Sequence, residues 1–323
     1  MNIAVLYSSE AQYGIIEGLK NLKHFVIPYY YGSETRNFQE GILIRLSKKK
    51  IRLHDIKTFN KKIIEIINYS NYNSLDLIII IKGHELTEKA NTALKSSNIL
   101  KIQWTIDTVK RWPGQASLLN LMDKTFFQDG DDIHLHKRGE WLPLGFDDSI
   151  FRYNKKKEID VLLIGNIQRP FYNKRRDCFI RISYLAKKGF RVIFAGSKPD
   201  KELRRIFNSN GVKIIGRLSL EKYAALISKS KICVNIHQDD GGKAINPMFF
   251  AIPSTGTLQL TDSSSYLKEW LEPGKHYYET IPETICIDIS RLLSQKYLSF
   301  EIANEVTIKH SYNGRAEYIM THL

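Results

Sequence analysis

Cysteine is scarce in this sequence. There are three in 323 residues, Cys178, Cys233 and Cys286, widely separated. That spacing excludes a disulfide framework and any CxxC-type metal site, and it suits a reducing, cytoplasmic setting. Long apolar runs are also absent. The longest, Leu75–Ile81, has the length of a strand rather than of a membrane span. No secretory signal is expected, since Asn2–Tyr7 reads as a strand without a basic flank or a cleavage site. No metal-ligand spacing occurs, so no metal is expected. No solenoid-length repeat or low-complexity tract is present. Acidic residues are outnumbered, 34 Asp and Glu against 48 Lys and Arg, for a net charge of +14. Such an excess favours an anionic partner: a nucleotide, an anionic lipid, a phosphorylated acceptor or nucleic acid.

What is present is a β–α alternation, with 43% hydrophobic residues and enough chain for two domains. Strand-like runs fall at Asn2–Tyr7, Phe25–Tyr30, Leu75–Ile81, Ile99–Trp104 and Lys124–Gln128, between helical runs at Ala11–Leu22, Thr58–Asn68 and Glu85–Ser96. After Trp141–Gly145 and a charged linker at Lys155–Glu158 the pattern restarts. It gives strands at Asp160–Gly165, Arg191–Gly196, Val212–Gly216, Lys231–His237 and Thr257–Thr261, and helices at Lys174–Lys187, Lys201–Asn208 and Leu220–Ser230. Two parallel, doubly wound sheets follow from this alternation. The domains are expected at 1–147 and 148–305, with a helical tail at 306–323 that returns to the first.

In parallel sheets ligands bind beyond the carboxyl ends of the strands. That rule draws attention to His84 and Asp107 in the first half. A carboxylate so placed suits a general base toward a hydroxyl, or a loop Asp that only holds a turn; His84 suits an acid, a base or a phosphate contact. In the second half, Lys231–Asp262 reads as strand, glycine loop, short helix and strand. Asn246 is expected as N-cap, Pro247 as the first helical residue, and Met248–Ile252 as a helix ending near Pro253. Such a helix start, with Lys243 beside it, suits a phosphate. Glycines at the strand ends Gly165–Asn166 and Gly196–Ser197 allow close approach of a ligand. Arg169, Lys174, Arg175 and Arg176 offer a second cationic contact, or simply the basic first turn of a helix. The interleaved basic and apolar stretch 41–67 suits either an anionic membrane surface or a solvated face.

The order of residues resembles the spore-maturation CgeB-like glycosyltransferases, relatives of the group-1, family 4-like transferases. In the second half the resemblance rests on VLLIGN (161–166), EKYAALISKSKICVNIH (221–237), PSTGTLQLTD (253–262), YLKEWLEPGKHYYE (266–279) and IANEVTIKHSYNGRAEYI (302–319). In the first it rests on DLIIIIKG (76–83), IQWTID (102–107), DKTFFQD (123–129) and WLPLGFDDSIF (141–151). This resemblance implies α/β architecture with two Rossmann-like domains facing across a cleft, the GT-B arrangement. It also implies metal-independent transfer of a sugar from a nucleotide-sugar, a substrate rather than a cofactor, to a glycan or lipid-linked acceptor. Implied donor-side residues are Gly165, Asn166, Arg169, Gly196, Ser197, Arg217, His237, Lys243, Asn246, Pro247, Gly256 and Thr257. Asp107 and His84 are the catalytic candidates, with Asp107 as base if the reaction inverts and as a positioning group if it retains.

One departure from the family pattern stands out. Met248 and Ala251 occupy the positions where the family carries an Arg and a ribose-binding Glu. They favour an alternative, a catalytically inactive nucleotide- or sugar-binding protein. The basic clusters Lys48–Arg52, Lys155–Lys157 and Arg175–Arg176 suggest a further alternative, a transferase acting on nucleic acid. No nucleic-acid motif accompanies them, so that partner ranks below a glycan acceptor at the inner face of a membrane.

Overall fold

The computed structural model describes residues 1–9, 12–32, 44–168, 172–239, 242–296 and 298–323, with only the backbone of 44–52. The chain forms two compact units. One comprises Met1–Leu144, Gly242–Ala244 and Arg315–Leu323; the other comprises Gly145–Gly241 and Ile245–Gly314.

The first unit runs β1 (Asn2–Tyr7), α1 (Gly14–Asn21), β2 (Phe25–Tyr30), α2 (Ile44–Ser70), β3 (Leu77–Ile81), α3 (Glu88–Ser96), β4 (Leu100–Trp104), β5 (Lys124–Phe127) and β6 (Gly139–Trp141). Its strands pair in parallel in the order β2-β1-β3-β4-β5-β6. β3, LIIII, is buried along its whole length, as expected of a central parallel strand covered on both faces. On α2, Phe59, Ile63, Ile66 and Ile67 recur at helical spacing and enter the core beside Leu6, Ile78 and Ile80. The apolar face of 59–67 is therefore committed to the protein's own interior.

The second unit runs β7 (Ile159–Gly165), α4 (Asn173–Lys187), β8 (Val192–Gly196), α5 (Lys201–Asn210), β9 (Lys213–Ile215), α6 (Leu220–Ser228), β10 (Ser230–Asn235), α7 (Met248–Ser254), β11 (Leu258–Asp262), β12 (Tyr278–Thr280), α8 (Ile285–Leu293) and α9 (Phe300–His310). Its parallel order is β12-β11-β10-β7-β8-β9. The chain winds outward from β7 to β9, then returns to the other side of β7. A crevice-forming switch point thus lies between β7 and β10. Val161, Leu163, Phe179, Phe194, Phe207, Ile232 and Val234 form the shared core.

The C-terminal helix α10 (Tyr312–Thr321) ends in the first unit. There the Tyr318 hydroxyl donates to Glu140 at 2.5 Å, and Lys124 binds both Glu140 at 2.6 Å and the His322 carbonyl.

The short helix α7 departs from its expected form. It continues through Pro253 to Ser254, and Pro247 stands at the N-cap instead of inside the first turn. Proline at 253 removes the N–H that would bond the Phe249 carbonyl, and the Gln259 side chain supplies a donor to it at 3.0 Å. Asn246 makes no side-chain cap. Its Oδ1 accepts from Asn235 at 3.3 Å, which draws it toward β10.

Candidate active site

At the β7–β10 switch point one arginine organises the backbone. Arg175, in the first turn of α4, donates Nε and Nη2 to the Ile236 carbonyl and Nη1 to the Asn166 carbonyl. Its guanidinium also lies over the Tyr172 ring, 4.6 Å from the centroid. The loops leaving β7 and β10 are thereby tied to one planar group. Gly165, at φ +110°, leaves the room for it, since a Cβ there would sit 2.7 Å from Nη1. A Cβ on Gly196 would meet the Gly165 carbonyl at 2.0 Å. These two glycines serve the protein's own packing, which corrects the expectation that they make room for a ligand. Asn166 and Ser197 join the two loops, with the Ser197 hydroxyl 2.9 Å from Asn166 Oδ1 and accepting from the Ile167 N–H.

His237 follows β10, and Asp262 ends the neighbouring β11. Asp262 Oδ1 accepts from the His237 backbone N–H at 2.7 Å and pairs with Nδ1 at 3.0 Å, while Oδ2 takes the Lys174 ammonium at 2.5 Å. Burial alone would raise the Asp262 pKa. The hydrogen bond and charge of His237, followed by Lys174, outweigh it and hold the carboxyl well below the usual range. An ionised Asp262 assigns the ring proton to Nδ1. That leaves Nε2, buried and without a hydrogen-bond partner among the described residues, on a residue only 4% exposed overall. A buried nitrogen with no partner calls for an explanation, and a ligand group is one. Lys174, on the other carboxylate oxygen of Asp262, adds positive charge to the same cluster. The nearby start of α4 is neutralised by Asp239, whose carboxylate accepts the Asn173 and Lys174 N–H groups at 2.7 and 3.2 Å.

The other donor-side candidates scatter. Lys243 belongs to the first unit, where its N–H donates to Asp129 at 2.9 Å and its ammonium lies 3.3 Å from Asp131. Its ammonium is thus paired within the first unit, in place of the expected phosphate partner at the start of α7. Gly256 and Thr257 precede β11 and so lie at its amino end, opposite the ligand end of a parallel strand. A Cβ on Gly256 would meet the Tyr153 ring at 2.6 Å, and Thr257 is fully buried, its hydroxyl accepting from Lys157 at 3.0 Å. Arg217 is exposed beyond the edge strand β9. Arg176 binds Asp200 and Glu202 and so braces α5. Arg169 lies outside the described residues.

In the first unit, His84 is buried edge-on against Tyr31 and Phe59, a packing position that does not favour a catalytic role. Asp107 sits just beyond β4 with a left-handed backbone, φ +60°. Its carboxylate accepts from the Trp112 indole at 2.9 Å and pairs with Arg111 at 3.4 Å. Sequence reading missed Asp262, although the rule of inspecting strand ends applies to it, and it missed Trp112, which no motif marks.

Residues 175–321 match a family model described as glycosyl transferase-like. No functionally curated protein matches the sequence. Among solved structures, AviGT4, a glycosyltransferase of avilamycin A biosynthesis, is 14% identical with a TM-score of 0.64, covering 100% of this chain and 97% of its own. Anabaena HepE in complex with UDP-glucose is 12% identical with a TM-score of 0.63, over 100% of both chains. The Neisseria meningitidis UDP-GlcNAc 2-epimerase bound to UDP-GlcNAc is 13% identical with a TM-score of 0.61, over 100% and 99%. At these identities the likeness establishes the GT-B fold. Transferases and an epimerase share that frame. The family match covers residues 175–321, and the fold of the whole chain is of GT-B type.

Proposed function

We propose that the protein transfers a glycosyl group from a nucleotide-sugar to a glycan or lipid-linked acceptor, without a resident metal, and that within its class it stands near the CgeB-like enzymes. The observation that carries this reading is the buried Nε2 of His237, without a hydrogen-bond partner among the described residues, on a ring held by Asp262, which also binds Lys174, within the stretch that matches the glycosyl transferase-like model. As the bond from the anomeric carbon to the diphosphate breaks, the leaving oxygens gain charge. His237, once protonated at Nε2, and Lys174 supply donors to them, as metal ions do elsewhere. Acceptor oxygen bonds to the anomeric carbon, and its proton passes to Asp107 if the reaction inverts. A uridine nucleotide is favoured because the similar structures of HepE and the epimerase hold UDP-sugars.

The test is release of free nucleoside diphosphate from a panel of UDP-, GDP-, ADP- and dTDP-sugars. Release from one of them, abolished in His237→Ala, is expected. A second reading, an inactive binding protein, is favoured by Met248 and by Ala251, which is fully buried in α7. Ligand-induced thermal stabilisation without diphosphate release from any sugar would select it. For a lipid-linked acceptor, the basic stretch Lys48–Lys62 is the proposed contact with an anionic membrane. Equal flotation with neutral and anionic vesicles would remove it.

A further inference from the structure

In the second unit, the motif EPGKHYY (272–278) and helix α9 line a cavity of about 270 Å³. The motif leads into β12, so the cavity lies toward the amino end of that strand, away from His237 at the carboxyl end of β10. The motif folds into a tight turn that fixes one imidazole. Gly274, at φ +81°, donates its N–H to the Tyr277 carbonyl at 2.7 Å, and the His276 N–H donates to the Glu272 carbonyl at 2.9 Å. The His276 Nδ1 accepts the Glu272 N–H at 3.0 Å. A backbone N–H only donates, so the proton of the neutral ring sits on Nε2. Burial lowers the His276 pKa against the pull of Glu305, which favours that neutral form. This Nε2 is buried and has no hydrogen-bond partner among the described residues. Glu305 Oε2, on α9, is 3.6 Å away, too far for a hydrogen bond, and takes the Lys275 ammonium at 2.7 Å. The Lys275 hydrogen bond holds the Glu305 pKa down, and Lys309 stands 3.6 Å from the other oxygen, so Glu305 is ionised.

A buried donor left open calls for an acceptor, and the carboxylate beside it restricts which kind. An anion is repelled by Glu305, and a cation cannot accept. A hydroxyl accepts from the imidazole and donates to the carboxylate. Lys268, Glu269 and Glu272 also line the cavity, so charge of both signs is present and the choice rests on the atoms at Nε2. Trp270, Leu271 and Val306 give the same cavity an apolar wall. Hydroxyls against an apolar wall suit a sugar, whose ring has C–H faces and a polar rim. The volume falls just below the range of about 300–1,000 Å³ usual for drug-sized ligands, which fits one ring. We propose that this cavity is a second carbohydrate site that holds one neutral sugar ring, with a ring hydroxyl between His276 Nε2 and Glu305 and a C–H face toward Trp270. The site goes beyond the transferase reading and is separate from the donor chemistry at His237.

The test titrates the full chain by calorimetry, without donor, against glucose, galactose, N-acetylglucosamine and glucuronic acid at constant ionic strength. At least one neutral sugar should bind saturably and more tightly than glucuronic acid. Glu305→Ala and His276→Phe should each weaken that binding roughly tenfold or more, since each removes a hydrogen bond of the shared hydroxyl. Glu305 is 36% exposed, so Glu305→Ala keeps the test open should His276→Phe not fold. His237→Ala should bind the sugar as the wild type does. The proposal is overturned if none of the three neutral sugars binds, which would leave the cavity to water, or if glucuronic acid binds more tightly than all of them. Sugar affinity unmoved in Glu305→Ala, or lost in His237→Ala, also overturns it by placing the sugar elsewhere. No donor enters this titration, so a failed diphosphate-release assay refutes the transferase reading and leaves the binding result standing.

Discussion

Asp262→Asn changes one atom and leaves the side-chain volume in place. Its effect is worked from three contacts: the His237 N–H, the His237 Nδ1 and the Lys174 ammonium. An amide retains one acceptor for the backbone N–H. It turns its NH₂ toward either Nδ1 or Lys174, so a donor faces a donor or the ring changes tautomer. Breaking a buried ion pair costs about 3–5 kcal/mol. Lys174 is 37% exposed and relaxes into water, which reduces this to roughly 2–3 kcal/mol. A fall in melting temperature of about 5–10 °C is expected. The folded Asp262 pKa is depressed, so its contribution is present above the unfolded value near 4 and is lost as pH falls through the folded value. The stability gap between wild type and variant should therefore be full at pH 7 and close progressively below about pH 4. Catalytically, the variant loses the anion that supports a protonated His237, and diphosphate release should fall about 10²–10³-fold. Calorimetric melts at several pH values and a coupled assay of diphosphate release supply both readouts. Release within about threefold of wild type, in a variant that has lost the expected stability, would show that the dyad only holds the fold.

Asp107→Asn should lower transfer to acceptor by about 10²–10⁴-fold while nucleotide affinity by calorimetry stays within a few-fold; matched losses in both would make Asp107 a structural residue. Lys243→Ala should leave diphosphate affinity unchanged and cost less than about 1 kcal/mol, because its exposed ammonium pairs with Asp131 in the first unit; a tenfold loss of affinity would return Lys243 to the donor site. Burial lowers the Lys157 ammonium to about 7, with its donors spent on the Ser228 and Thr255 carbonyls and the Thr257 hydroxyl. The unfolded chain then binds more protons than the folded one between that value and about 10.4, so stability should rise with pH across this window. Denaturant titrations of Lys157→Met at pH 6 and pH 9 should show this rise reduced; an unaltered slope would exclude Lys157 as its source.

Periodicity along the chain was enough to locate the parallel strands, because a strand covered on both faces must be apolar throughout, as LIIII at 77–81 is. The expected helix starts at Lys201 and Leu220 agree with the structure, where Asp200 and Ser219 cap their own helices. Local reading failed at α7, where the Phe249 carbonyl freed by Pro253 is met by Gln259 from the following strand, and a partner that distant leaves no local signal. It failed for the glycines as well. A glycine announces space, but only the fold shows what fills it, Arg175 at Gly165 and Tyr153 at Gly256. The candidate site divides in the same way. Asp107 was legible as a polar residue beyond a strand, and His237 only through the family resemblance. Asp262 became the partner of His237 because β10 and β11 are adjacent in the sheet although 25 residues separate the two side chains. Lys243, next to the same loop in sequence, was carried to Asp129 and Asp131, more than a hundred positions earlier in the chain. Sequence thus set which groups stand at strand ends, since that depends on neighbours along the chain. Strand order, which depends on how distant segments pack, decided which of those groups meet.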